Sequence, residues 1–164
     1  AIEVPDYGGD TLFASQANAY DALSDGMKRM IADLKVVNSD IRVAGPTTTR
    51  NQNRTTKSRM DADWVATETA HPVVRTHPET GRKSLYCDRS YSIRFEGMTE
   101  EESAPLLDYL MDWGTRPEFT CRFRWRKGSV AFWDNRCTKH IAVDDSHRDR
   151  RIMRRIQIAG DRPF

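Results

Sequence analysis

Cysteine and long apolar runs are both scarce in this chain. Its three cysteines, Cys87, Cys121 and Cys137, are widely spaced and form no C-x-x-C pair, so the sequence predicts neither a disulfide framework nor a zinc site. No apolar run approaches the length of a membrane span, and no secretory signal segment is visible. These absences favour a soluble protein in a reducing, cytoplasmic setting.

Neither sign of charge dominates the sequence. It contains 26 basic and 24 acidic residues, for a net charge of +2, whereas nucleic-acid binding normally needs a markedly basic domain. Basic and aromatic residues alternate at 119–125, as they also do in some single-strand binding proteins. Here the strict alternation of Cys121 and Phe123 with Arg122 and Arg124 indicates a strand with one core face and one polar face. We therefore expect no nucleic-acid and no membrane partner, and homo-oligomerisation stays open.

Short strands separated by turns dominate the predicted secondary structure. Strand-like stretches cover residues 11–14, 35–41, 72–76, 84–87, 119–125, 129–133 and 151–158. Helices are expected to begin after Ser15, Ser24 and Thr99, because each of these hydroxyls can cap a helix, and Glu102 completes a capping box with Thr99. The pattern predicts a mainly β fold with peripheral helices, a double-stranded β-helix or jelly roll.

A polar segment at about 42–63 interrupts this pattern. The 164 residues match the usual size of one domain, so we expect a single jelly-roll domain over 1–164. The segment is rich in Thr, Asn and Arg without periodicity, which indicates a mobile, lid-like loop. Two interpretations of its basic residues stay open, attraction of an anionic substrate or a solvated polar loop. These residues are Arg50, Arg54, Lys57 and Arg59.

The segment at 133–161 holds the most informative polar residues. His140 lies at a strand boundary, and alternation along 151–158 would place Arg151, Met153 and Arg155 on one face. A buried guanidinium needs an anionic partner, because an unpaired buried charge costs several kcal/mol or more. A carboxylate is the natural ligand, since the planar fork of arginine binds it through two hydrogen bonds.

A series of motifs extends along most of the chain. WDNRCTKH occupies 133–140, and Arg151 and Arg155 follow its histidine after eleven and fifteen residues. Further motifs are GGDTLF at 8–13, AYDAL at 19–23, HPVVRTHPETG at 71–81, RPEFTCRFRW at 116–125 and IAGDRPF at 158–164. In this order they resemble the taurine dioxygenase family of iron(II)- and 2-oxoglutarate-dependent oxygenases, which includes enzymes that cleave alkyl sulfates and phenoxyalkanoate herbicides. The resemblance covers nearly everything except 42–63.

The resemblance implies a role for each of five residues. His140 matches the distal histidine of a 2-His-1-carboxylate iron site, which leaves positions open for 2-oxoglutarate and dioxygen. Arg151 and Thr11 match the residues that hold the far carboxylate of 2-oxoglutarate. Arg155 matches the arginine that binds the acidic head of the substrate, and Tyr91 matches an aromatic residue of the substrate pocket.

The implied reaction needs iron(II), 2-oxoglutarate and dioxygen. Oxidative decarboxylation of 2-oxoglutarate gives succinate and carbon dioxide and is coupled to hydroxylation of a small anionic substrate, a sulfonate, sulfate ester or carboxylate. The resemblance therefore predicts an oxidoreductase of the dioxygenase class. The sequence does not choose among these substrates.

The chain departs from the family pattern at the metal site. In the family an H-x-D motif supplies the other two iron ligands, and it precedes the stretch that begins here. We therefore expect this sequence to be the C-terminal portion of a longer protein, inactive by itself with His140 as its single ligand. The alternative is a catalytically inactive jelly roll that binds a small dicarboxylate through Arg151 and Thr11 without iron.

Two short internal motifs offer replacement ligand pairs. His77 and Glu79 form H-x-E, and His147 and Asp149 form H-x-D. The first lies between two short apolar runs, which is typical of a hairpin connection. The second lies in a polar stretch that indicates a solvated loop. We expect neither pair to bind the metal, because short motif matches are weak signals.

Overall fold

Among the described elements short strands outnumber helices, as the sequence predicts. The computed structural model describes residues 1–45, 48, 65–145, 149–160 and 162–164. The elements over this range are β1 (Thr11–Ser15), α1 (Gln16–Asp21), α2 (Asp25–Ile31), β2 (Lys35–Ser39), α3 (Ile41–Ala44), β3 (Glu68–Pro72), β4 (Val74–Thr76), β5 (Lys83–Leu85), β6 (Ser92–Phe95), α4 (Glu100–Trp113), a 3₁₀ turn (Pro117–Phe119), β7 (Thr120–Phe123) and β8 (Thr138–Ala142).

The strands pair into three small antiparallel sheets. Their orders are β7-β1-β8, β3-β2-β6 and β4-β5. In the first sheet the central strand, β1, comes from the beginning of the chain, and its two neighbours come from the end. This sheet therefore brings residues that are distant in the sequence onto one surface, where the candidate site lies.

The helices begin at the predicted caps. The Ser15 hydroxyl accepts a hydrogen bond from the Asn18 N–H, and the Ser24 hydroxyl accepts one from the Met27 N–H. At the start of α4, Thr99 and Glu102 form the reciprocal bonds of a capping box. The sequence is sufficient to predict these starts, because the capping oxygen satisfies N–H groups that the first helical turn leaves unpaired.

A hydrophobic core packs the helices against the β2-containing sheet and the β4-β5 hairpin. Its buried members are Ala19, Tyr20, Leu23, Ile31, Val36, Val73, Val74, Leu85, Cys87, Phe95, Leu107, Leu110 and Met111. Ser103 joins α4 to β6, since its hydroxyl donates to the Thr99 carbonyl and accepts from the Phe95 N–H. Both polar groups are thereby satisfied inside the core.

Two predicted strands do not form. Residues 129–133 have no regular structure, and Phe132 is exposed. In 151–158, Ile152 makes a single bridge to Glu3, while Ile156 and Ile158 are 92% and 83% exposed. The predictions are wrong because, among the described residues, no neighbouring strand lies alongside these segments to pair with their backbone.

The predicted lid-like loop at 42–63 lies mostly outside the described residues. Residues 42–44 belong to α3, and the four basic residues at 50, 54, 57 and 59 fall in the part that is not described. Among the helices that are described, none is long and apolar enough to cross a membrane.

Candidate active site

One face of the β7-β1-β8 sheet gathers two of the predicted site residues. In the β1–β8 register His140 lies opposite Phe13, and Ala142 lies opposite Thr11. Residues opposite each other in an antiparallel pair point to the same face, and so do alternate residues of one strand. Thr11, Phe13 and His140 therefore share a face, on which Thr11 and His140 are diagonal neighbours with Cα atoms about 7–8 Å apart.

Two aromatic rings lie against His140. Its ring centroid is 4.8 Å from that of Trp133 and 6.2 Å from that of Phe13. Partial burial, and then the positive charge of Arg155, lower the pKa of His140 below its ordinary value of 6.5, while Asp88 opposes the shift. The imidazole is therefore mainly neutral at pH 7, which is the form that binds a metal ion.

Thr11 is held by contacts on both its backbone and its side chain. The residue is 5% exposed, and its Oγ1 accepts a hydrogen bond from Trp125 Nε1 at 2.9 Å. The preceding residue, Asp10, pairs with Arg122 at 2.6 Å and accepts a backbone hydrogen bond from Val143. These contacts fix both the strand position and the rotamer of Thr11.

The two predicted arginines have different surroundings. Arg151 is partly buried, and its Nε is a buried atom without a hydrogen-bond partner within the described residues. Arg155 is exposed, and its charge acts on His140. The prediction that both project from one strand face is wrong, because 151–158 is not a strand. A buried N–H without an acceptor is costly, so the chemistry of Arg151 fits the carboxylate of 2-oxoglutarate.

His77 caps its own turn and does not act as half of a ligand pair with Glu79. It lies in the β4-β5 hairpin connection, which confirms the predicted hairpin. Its Nδ1 accepts hydrogen bonds from the backbone N–H groups of Glu79 and Thr80. The proton of the neutral ring is therefore on Nε2, which donates to Asp134 Oδ2 at 3.0 Å. The other motif lies partly outside the described residues, since His147 is not among them.

Asp134 is the centre of this second polar cluster. It binds Arg136 through both carboxylate oxygens, and the hydrogen bonds from Arg136 and then His77 hold the pKa of Asp134 well below its ordinary value despite partial burial. The side-chain donor atoms of His77, Asp134 and Cys137 lie within 4.8 Å of one another. Because both ring nitrogens of His77 and both oxygens of Asp134 are already hydrogen-bonded, the cluster supports the turn before β8 instead of offering metal ligands.

Comparison with known proteins identifies the family of this chain. The family model described as "Taurine catabolism dioxygenase TauD, TfdA family" matches residues 1–157. The chain belongs to this family. An alkylsulfatase of Acinetobacter baylyi is 38% identical over 161 residues, which are 96% of this chain and 50% of the relative. An alpha-ketoglutarate-dependent sulfate ester dioxygenase of Pseudomonas putida is 35% identical over 99% of this chain and 54% of the relative.

A solved structure extends the match to the fold. The crystal structure of AAD-2 in complex with Mn(II) and N-oxalylglycine superimposes with a TM-score of 0.79 and is 32% identical, over 99% of this chain and 62% of that one. This likeness confirms the predicted jelly-roll fold class. The chain spans about half the length of the curated relatives it matches. The predicted cofactors, iron(II), 2-oxoglutarate and dioxygen, are those of the TauD/TfdA family.

Tyr91 lies in the turn before β6 of this TauD/TfdA chain. Its side chain is exposed, and its carbonyl accepts a hydrogen bond from the Ser39 N–H. The same turn contains Asp88, whose charge acts on His140. No contact joins Tyr91 to Thr11 or His140 in the described part of the chain, so its role in the substrate pocket stays a prediction.

Several residues that support the site are not among those that the sequence predicts. Phe13 shares the face of Thr11, and the period of two along β1 was a sufficient signal for it. The bond from Trp125 to Thr11 and the bond from His77 to Asp134 connect separate parts of the chain. Spacing along the sequence carries no signal for such pairs, because they depend on which strands become neighbours.

Proposed function

We propose that the protein containing this chain is an iron(II)- and 2-oxoglutarate-dependent dioxygenase that hydroxylates a small anionic organic substrate and releases succinate and carbon dioxide. The observation that carries the proposal is the shared face of the β7-β1-β8 sheet, on which His140 and Thr11 are diagonal neighbours. The relatives named alkylsulfatase and sulfate ester dioxygenase support a substrate with an anionic head.

Arg151 and Thr11 would hold the far carboxylate of 2-oxoglutarate. The guanidinium of Arg151 brings a buried N–H that lacks an acceptor among the described residues, and charge-assisted bonds of this kind are short and strong. The Thr11 hydroxyl would donate its proton to the same carboxylate. Because Thr11 is buried and held by its neighbours, the cosubstrate would meet a site that is already ordered.

His140 would be one iron ligand, and the other two would come from an H-x-D motif outside these residues. Bound iron would catalyse the oxidation of 2-oxoglutarate by dioxygen, and this oxidation would drive the hydroxylation of a substrate carbon. Trp133 and Phe13 keep the imidazole in place and shield one side of it from water.

Arg155 would bind the anionic head of the substrate. It is exposed, and its charge reaches His140, so a bound sulfate or sulfonate would keep its adjoining carbon close to the metal ligand. Tyr91 would line the same pocket. A hydroxyl group placed on the carbon next to the sulfur or ester oxygen makes the product unstable, and the product would then release the inorganic anion.

Anaerobic titration of 2-oxoglutarate into the iron-loaded whole protein tests the proposal. The metal-to-ligand charge-transfer absorbance band should appear and saturate as 2-oxoglutarate is added to the wild type. Arg151→Ala should raise the dissociation constant about ten- to a hundredfold, because a hydrogen bond to a charged group contributes roughly 1.5 to 3 kcal/mol. Arg155→Ala should leave this constant nearly unchanged and should raise the KM for a sulfate ester.

Two outcomes would contradict these assignments. If the two variants weakened the binding of 2-oxoglutarate equally, the roles given to Arg151 and Arg155 would be wrong. If 2-oxoglutarate bound equally well with and without iron and no succinate formed, the protein would be the inactive dicarboxylate-binding jelly roll instead.

A further inference from the structure

The indole N–H of Trp125 points at the Thr11 hydroxyl, with Nε1 2.9 Å from Oγ1. An indole N–H can only donate, so the Thr11 oxygen is the acceptor. The bond joins the first residue of β1 to a residue that lies two positions after the end of β7. We infer that Trp125 is a positioning residue for 2-oxoglutarate, acting through the Thr11 hydroxyl. This inference rests on the proposed function.

The bond decides where the Thr11 proton points. A threonine hydroxyl has one proton and rotates to suit its partners. When one lone pair accepts the Trp125 N–H, the O–H bond must turn away from the indole. Within the described residues no acceptor is found for this proton, so it is available to the carboxylate that we assign to Thr11 and Arg151.

The indole is itself held in place. Its ring makes an edge-to-face contact with Phe123, with centroids 4.9 Å apart, and Phe123 is the direct β7 partner of Thr11 in the sheet. The ion pair between Asp10 and Arg122 fixes the backbone just before Thr11. The hydroxyl is thus ordered before any ligand arrives, and ordering in advance reduces the entropy lost on binding.

Trp113 provides a matched comparison within the same chain. Its Nε1 also donates a long-range hydrogen bond, to the Ala19 carbonyl at 2.8 Å. That bond joins α4 to α1 and involves no predicted site residue. If the Trp125 bond were merely structural, removal of either indole N–H would change stability and leave 2-oxoglutarate binding alone.

The test is a set of variants of the iron-loaded whole protein, titrated anaerobically with 2-oxoglutarate. Trp125→Phe removes the N–H and keeps an aromatic ring, and Thr11→Val removes the hydroxyl and keeps the shape. We expect Thr11→Val to raise the dissociation constant about tenfold or more, and Trp125→Phe to raise it about three- to tenfold, within the range of a hydrogen bond to a charged group. Trp113→Phe should leave it unchanged.

The double variant separates positioning from general damage. If Trp125 acts through Thr11, Trp125→Phe combined with Thr11→Val should bind 2-oxoglutarate no more weakly than Thr11→Val alone. In turnover assays Trp125→Phe should raise the KM for 2-oxoglutarate and leave the KM for the sulfate ester unchanged. Additive effects in the double variant, or a dissociation constant for Trp125→Phe equal to that of Trp113→Phe, would overturn the inference.

A second measurement does not depend on changing Trp125. Hydrogen exchange of the Trp125 indole N–H, followed by NMR, should be faster in Thr11→Val than in the wild type and unchanged in Thr11→Ser. Addition of 2-oxoglutarate should slow this exchange in the wild type and have no effect in Thr11→Val. If the exchange rate of the Trp125 indole N–H were the same in Thr11→Val as in the wild type, the inference would be overturned. If the wild type bound no 2-oxoglutarate, the proposed function would be overturned as well.

Discussion

Replacement of Asp134 by asparagine should destabilise the protein by about 1 to 2 kcal/mol at pH 7. The carboxylate accepts hydrogen bonds from buried His77 and from Arg136, and bonds to charged groups contribute roughly 1.5 to 3 kcal/mol. The side chains of Arg136 and Asp134 are 25% and 33% exposed, so solvent screening reduces the ionic part. Asparagine keeps the shape and one acceptor oxygen, but its NH2 group only donates, so the variant removes the charge together with the hydrogen bonds that one carboxylate oxygen accepts.

The effect has a defined dependence on pH. Arg136 and His77 hold the pKa of folded Asp134 well below its ordinary value of 3.8. A carboxyl group with a lowered folded-state pKa stabilises the fold above its unfolded pKa, and this contribution is lost as the pH falls toward the folded pKa. The difference in unfolding free energy between wild type and Asp134→Asn should be constant from roughly pH 5 to 8 and should shrink below about pH 4.

Urea denaturation of the whole protein at pH 7 and pH 3, followed by tryptophan fluorescence, measures this difference. Asp108→Asn is the matched control, because Asp108 pairs with Arg89 on the exposed surface of α4 at 3.0 Å. An exposed pair contributes roughly 0.2 to 1 kcal/mol, so this control should change little. An Asp134→Asn effect no larger than the control, or one that persists undiminished at pH 3, would refute the reasoning.

Three further predictions concern separate parts of the molecule. His140→Ala should abolish iron-dependent succinate formation while the circular dichroism spectrum stays unchanged, because the side chain is not part of the hydrophobic core; unchanged turnover would contradict its role as a ligand. Thr99→Ala should lower the unfolding free energy by about 1 kcal/mol through loss of the capping box of α4, measured by urea denaturation, and an unchanged midpoint would count against it. At pH 8 a thiol reagent should label Cys121 before Cys87, because Cys121 is exposed whereas burial raises the pKa of the Cys87 thiol; equal labelling rates would refute this.

Local signals in the sequence predicted the elements whose causes are local. Ser15, Ser24 and Thr99 cap helices because their hydroxyls satisfy neighbouring N–H groups, and these contacts need only adjacent residues. The position of β1 also follows from its own composition. Local composition does not predict the partners of β1, because β7 and β8 come from the far end of the chain.

The sequence predicts the candidate site as a set of residues, and the geometry of the site depends on the sheet register. His140 and Thr11 were identified from motifs at opposite ends of the sequence. Their closeness follows from the pairing of β1 with β8, in which Thr11 lies opposite Ala142. A shift of one residue in this register would place the two side chains on opposite faces. No spacing within the sequence distinguishes these registers, so only the structure supports a shared site.

The segment 151–158 shows why alternation alone does not determine burial. Ile152, Ile156 and Ile158 belong to one face of an ideal strand. Ile152 pairs with Glu3 and is partly buried, whereas Ile156 and Ile158 have no strand beside them in the described part of the chain and are exposed. Arg151 adjoins the paired position, and its Nε is buried, while Arg155, four residues later, is exposed. Alternation in the sequence predicts the same environment for the two arginines, whereas in the structure only Arg151 adjoins the bridge at Ile152 and has a buried Nε.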